Sequence, residues 1–206
     1  MANDTVLASL RAVPATADSP DNRMPAIPPE QFTDEQKAAA AEFEALRGVK
    51  PGGPFVPLLR APEVFRVANT MGNYLRFNTD LPMALSELAI LITARRWTQN
   101  YEWMAHRKIA EEAGLAPAIG QAIREGRRPD GMSKDEETVY AFCTELHNNG
   151  EVCDVTYERT KQTFGERGVI DLAAICGHYS TLAMIMNVAR TPEPVGAEPE
   201  LEGFQG

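Results

Sequence analysis

Through the middle of the chain, apolar residues recur at three- and four-residue intervals, the period of a helix with one buried face. Thr33 followed by Gln36 has the form of a capping box, and Gly48 closes the helix that it opens. "KPGGPFVPLL" reads as a connector. Pro62 suits a first helical position, and "PEVFRVANTMGNYLRF" follows with apolar spacing interrupted at Gly72. The next helix runs from near Pro82 to about Arg96, with Leu81, Leu85, Leu88, Leu91 and Ile92 on a broad apolar face. "NYEWMAHRKIAEEAGL" forms another, which ends where Gly114 offers a left-handed cap.

Downstream, a short helix from Ala116 to Arg124 precedes the turn-rich "EGRRPDGMS". Ser133 with Glu136 makes a second capping box, and that helix stops before Gly150. Asp154 caps a further helix to Phe164. The last, "VIDLAAICGHYSTLAMIMNVA", is apolar nearly all round, which suits the core or a subunit contact. No segment alternates with period two between hairpin turns. The pattern therefore predicts an all-α single domain of seven or eight helices over residues 30–190. Residues 1–29 and 191–206, rich in Pro and acidic residues without periodicity, read as flexible terminal arms.

Composition narrows the partners. The 206 residues carry 29 Asp and Glu against 20 Lys and Arg, a net charge of -9. Such a field repels polyanions, so nucleic acid is not expected as a partner, whereas a few buried arginines would suffice for a small anionic organic substrate. Three cysteines, with no C-x-x-C pair, argue against a disulfide framework and for a reducing, cytoplasmic setting. The N-terminal stretch lacks a basic leader and a long apolar run, and no uninterrupted apolar stretch reaches membrane-spanning length, so neither a targeting peptide nor a membrane is expected.

Candidate chemistry gathers in one helix pair. Glu102 and His106 lie one turn apart on one helical face, where a carboxylate can orient an imidazole and hold its proton. Alone, this spacing is equally that of a solvated surface pair. The short connection "RRWTQN", however, makes the preceding helix antiparallel, which brings Glu87 back towards the two. Trp97, Tyr101 and Trp103 are placed to exclude water, with Trp103 equally assignable to packing. Gln99 stands near the helix start, where it could donate to an oxyanion. Arg95 and Arg96 could hold a substrate carboxylate, or serve only as charges favourable to a helix C-terminus. His178 reads as a hydrogen-bonded core residue and His147 as a capping or surface residue.

The order Glu87, Gln99, Glu102, His106, written E-x11-Q-x2-E-x3-H, resembles the signature region of the carboxymuconolactone decarboxylase and alkylhydroperoxidase-like superfamily. The peroxidase branch of that superfamily carries E-x11-C-x2-C-x3-H. The similarity extends from about Pro54 to Val188. It implies an alkylhydroperoxidase-like fold, a trimeric or hexameric homo-oligomer, and cofactor-free, metal-free loss of carbon dioxide from a lactone acid of aromatic catabolism. By that resemblance Glu87, Glu102 and His106 are the expected catalytic residues, with Gln99, Tyr101, Trp97 and His178 about the substrate. Gln99 and Glu102 stand where the peroxidase branch has its redox cysteines, and neither forms a thiolate. Thiol peroxidase chemistry is therefore not expected there, unless folding brings Cys143 or Cys153 to Cys176. A related isomerase, a family member known as a peroxidase, and a non-catalytic small-ligand-binding oligomer remain the alternatives.

Overall fold

The structure is a computed structural model in which residues 14–17 and 19–203 are described. Among these are eight α-helices: α1 (Asp34–Arg47), α2 (Phe55–Leu58), α3 (Pro62–Phe77), α4 (Met83–Arg96), α5 (Asn100–Glu112), α6 (Pro117–Arg124), α7 (Lys134–Asn149) and α8 (Asp154–Ala189). A 3-10 turn over Pro29–Gln31 precedes them, and no strand occurs among the described residues. The all-α expectation holds. Both capping boxes form, with Thr33 and Ser133 each accepting from the third amide of its helix, and Gly48 and Gly150 close α1 and α7 in left-handed conformations.

Helix α4 is the axis of the domain. It packs against α5, α7 and α8, and from Leu85 to Arg95 it is buried on every side rather than along one face. This explains why its apolar residues show little amphipathic asymmetry. The two helices expected before and after Phe164 form one element, α8, divided by a kink. Gly165 there adopts φ 70, ψ 174, a backbone geometry that only glycine enters without strain.

The connector 51–61 contains the short helix α2, which brings Phe55 into a cluster with Phe43 of α1 and Phe65 of α3. Their ring centroids lie 4.7 to 5.6 Å apart, a spacing at which tilted aromatic pairs are attractive. The described parts of the expected arms are hydrogen-bonded to the helical body. Thr16 bridges to Pro194, and the Arg23 amide donates to the Ala189 carbonyl. Near the C-terminus, Asn100 accepts from the amides of Glu200 and Leu201. Leu201 is buried in the core, and Glu200 accepts from Trp103 Nε1 at 3.0 Å and Arg107 Nη1 at 2.5 Å. The tail that composition marks as loose is thus laid along α5.

Candidate active site

The α4–α5 connection makes the site. Thr98, with φ 48, turns the chain in a left-handed step, and Gln99 caps α5 by accepting the Glu102 amide at 3.0 Å. This tight reversal sets α5 alongside α4, so that Glu87 meets His106. The His106 Nδ1–H donates to Glu87 Oε2 at 2.7 Å, and both side chains are buried. With Nδ1 so engaged, Nε2 is the free basic nitrogen of the ring. The imidazole also stands edge-on to Tyr179 of α8, with centroids 5.0 Å apart.

Glu102, one turn before His106, is buried, and neither of its carboxyl oxygens has a hydrogen-bond partner among the described residues. Burial holds its carboxyl well above the usual carboxylate range. Its place in the first turn of α5 favours the ionised form by about 0.3–1 kcal/mol, whereas desolvating an unpaired carboxylate costs several. Desolvation outweighs the dipole, so burial favours the carboxylic acid form of Glu102 over the carboxylate.

Glu102, His106, Tyr101, His178 and Tyr179 line one cavity of about 50 Å³, together with Arg47, Arg76, Gly72 and Pro14. The Tyr101 hydroxyl donates to the Pro14 carbonyl, so the N-terminal segment forms part of the wall. Burial raises the Tyr101 and Tyr179 phenols above their usual value, and both stay neutral. His178 is lowered to about 4 by burial first, and then by Arg47, Arg76 and His106. It is a neutral ring in the wall of the cavity as well as a core residue.

The other expected residues lie elsewhere. Gln99 uses its carbonyl on the Glu102 amide and its Nε2 on Asn187 Oδ1, and it faces a separate cleft with Thr98, Asn187 and Arg190. Trp97 Nε1 donates to Ser180 Oγ at 2.9 Å, outside the cavity. Arg95 donates to the Glu202 carbonyl and flanks two other clefts, and Arg96 is exposed. Trp103 is fully buried packing. His147 bonds Thr93 Oγ1 at 2.9 Å. Folding does bring Cys143 to Cys176, away from the cavity. The neighbouring Cys143 thiol, with His147 contributing, holds Cys176 below the usual thiol value, and Cys176 together with burial holds Cys143 above it. Cys153 is exposed and apart from them.

Arg47 and Arg76 were not expected. Arg47 ends the series Ala39, Phe43, Arg47, a buried stripe at four-residue spacing, and Arg76 follows Gly72 by four on α3. A basic residue in an apolar register was the available signal for both.

Comparison with solved structures gives the fold. The chain is similar to the alkylhydroperoxidase AhpD core of an uncharacterized peroxidase-related protein from Ralstonia eutropha JMP134, with TM-score 0.67 and 18% identity, over 83% of this chain and 91% of that one. It is likewise similar to a cysteine-to-alanine variant of the debrominase Bmp8 in complex with 2,3,4-tribromopyrrole, with TM-score 0.65 and 13% identity, over 87% and 94%. A third match, an uncharacterized peroxidase-related protein from Silicibacter sp. TM1040, has TM-score 0.64 and 15% identity, over 89% and 93%. No family model and no curated protein matches the chain. At these identities the likeness is one of architecture: the chain has an alkylhydroperoxidase-like fold, shared with proteins named as a debrominase and as peroxidase-related.

Proposed function

We propose that this protein is a cofactor-independent acid/base enzyme, a decarboxylase-type lyase acting on a small unsaturated lactone or carboxylic acid of aromatic catabolism. The observation that carries the proposal is the pairing, in one cavity, of a buried Glu102 carboxyl, without a hydrogen-bond partner among the described residues, with a His106 imidazole held by Glu87. One group is kept protonated by burial and the other is kept oriented by a carboxylate, the separation of roles that acid/base catalysis requires.

The chemistry needs little else. The bond between the ring carbon and the departing carboxylate breaks, carbon dioxide leaves, and the electron pair passes into the conjugated lactone carbonyl as a dienolate. Glu102 then gives its proton to carbon as the dienolate collapses. His106 Nε2, on the same helix one turn away, takes up a proton from solvent and passes it to the Glu102 carboxylate, while Glu87 stabilises the intervening imidazolium. The thiols are not used, since Gln99 and Glu102 stand where a thiol pair would act and Cys143 and Cys176 lie away from the cavity.

The test is carbon dioxide release from γ-carboxymuconolactone by the purified protein beside Glu102→Gln and His106→Ala. Release that falls by about 10²-fold or more in both variants supports the reading. A folded wild type that releases none removes this substrate, and release that persists in both variants removes the mechanism.

A further inference from the structure

The cavity holds two positive charges that the proton chemistry does not use. Arg47 is 5% exposed, and its guanidinium lies over the rings of Phe43 and Phe55, 5.0 Å from each centroid. Its Nε donates to Asn69 Oδ1 at 2.8 Å, and no carboxylate pairs with it among the described residues. Arg76 Nε is also buried and has no hydrogen-bond partner there. Burial, with Arg76 adding to it, lowers Arg47 to about 10, which still leaves it charged at neutral pH.

Taking a guanidinium out of water without a carboxylate to offset its charge is unfavourable, and the half-buried Arg76 places a second positive charge beside the buried Arg47. The chain has more acidic than basic residues, yet neither arginine forms an ion pair with an acid among the described residues. Among the described residues, Glu87 is engaged by His106, and burial disfavours the charged form of Glu102. The room for the Arg47 fork depends on Gly72, where an added Cβ would lie 3.0 Å from both Arg47 Nη2 and His178 Nε2.

We propose that Arg47 and Arg76 form a carboxylate subsite, and that the carboxylate they hold is one the reaction keeps. The subsite stands on the two guanidinium groups and their surroundings; only the retention of the carboxylate rests on the decarboxylase reading. Arginines clamped on the departing group would stabilise a ground-state charge that the transition state loses, and so would slow the reaction. The acid they bind is therefore a second, spectator group, and the substrate carries an anionic substituent besides the one lost. Paired planar guanidinium groups suit a carboxylate because each presents two parallel donors to its two oxygens.

The subsite is tested by calorimetric titration of crotonate and of crotonamide, its uncharged counterpart of the same shape, into wild type, Arg47→Met, Arg47→Lys and Arg76→Met. Crotonate should bind the wild type at least tenfold more tightly than crotonamide, and each Met substitution should reduce that ratio. Equal binding of the two ligands, a ratio unchanged in both Met variants, or no binding of crotonate would each overturn the subsite. Should Arg47→Met fail to fold, Arg47→Lys and Arg76→Met decide. In turnover of γ-carboxymuconolactone, Arg76→Met should raise KM more than it lowers kcat. A fall in kcat with KM unchanged would overturn the spectator role. Retained crotonate preference in a protein that decarboxylates nothing would leave the subsite standing and remove the spectator assignment together with the decarboxylase reading.

Discussion

Replacing Glu102 by Gln should stabilise the protein while abolishing proton delivery. Gln keeps the size and the two polar ends of the carboxyl group but cannot ionise. In the native state burial holds the Glu102 carboxyl protonated well above its usual 4.5, whereas in the unfolded chain it ionises near that value. Above pH 4.5 the native state therefore binds more protons at this site than the unfolded state does, and stability falls as pH rises. The slope is about 1.4 kcal/mol per pH unit for as long as the native carboxyl stays protonated, a ceiling of about 3 kcal/mol by pH 7. The Gln variant lacks this slope. Urea denaturation of both proteins at pH 5, 6, 7 and 8 should show the variant gaining on the wild type with each step, each kcal/mol being worth about 2–4 °C in Tm for a chain of this size. A difference in stability that is constant across the series, or a variant that loses ground as pH rises, would refute the protonated state of Glu102.

His178 should act in the opposite sense. Its native value of about 4 lies below the unfolded 6.5, so its contribution is complete above pH 6.5 and is lost as pH falls towards 4, at up to about 1.4 kcal/mol per unit; His178→Gln should flatten that acid limb in a denaturation series, and an unchanged limb would contradict the assignment. Gly53→Ala should destabilise by about 1–3 kcal/mol in urea, because the added Cβ would lie 2.5 Å from Tyr101 Cε1 at a residue with φ +53; an unchanged midpoint would show that the Tyr101 ring is free to move. Val64, Val67 and Met71 on α3 and Met184 and Val188 on α8 present exposed apolar side chains at helical spacing, and light scattering should give the mass of a homo-oligomer, a trimer or hexamer; a monomer mass would contradict this.

What could be read in the sequence was local. The capping boxes at Thr33 and Ser133 and the closing glycines at Gly48 and Gly150 are signals carried within a few residues, and the structure places those helix ends where the signals do. The meeting of Glu87 and His106 was legible too, because a three-residue connection leaves an antiparallel helix pair as the compact solution. The structure's assignment of Gln99 to Asn187 was not legible, since the two are 88 positions apart and nothing local links them. The docking of Leu201 was hidden by the tail's composition, in which one buried leucine and one asparagine side chain outweigh a run of Pro and Glu. Arg47 and Arg76 carry a signal that is easily read past. Arginine near a helix C-terminus is common on the surface, and only the apolar register of the preceding turns buries Arg47 and half-buries Arg76.

The most direct test of the central claim is the infrared difference spectrum between wild type and Glu102→Gln at neutral pH. A protonated carboxyl C=O band is expected in the wild type, shifting in heavy water and missing from the variant. A spectrum in which the substitution removes only carboxylate bands would show Glu102 ionised, and with it the proposed proton donor would be gone.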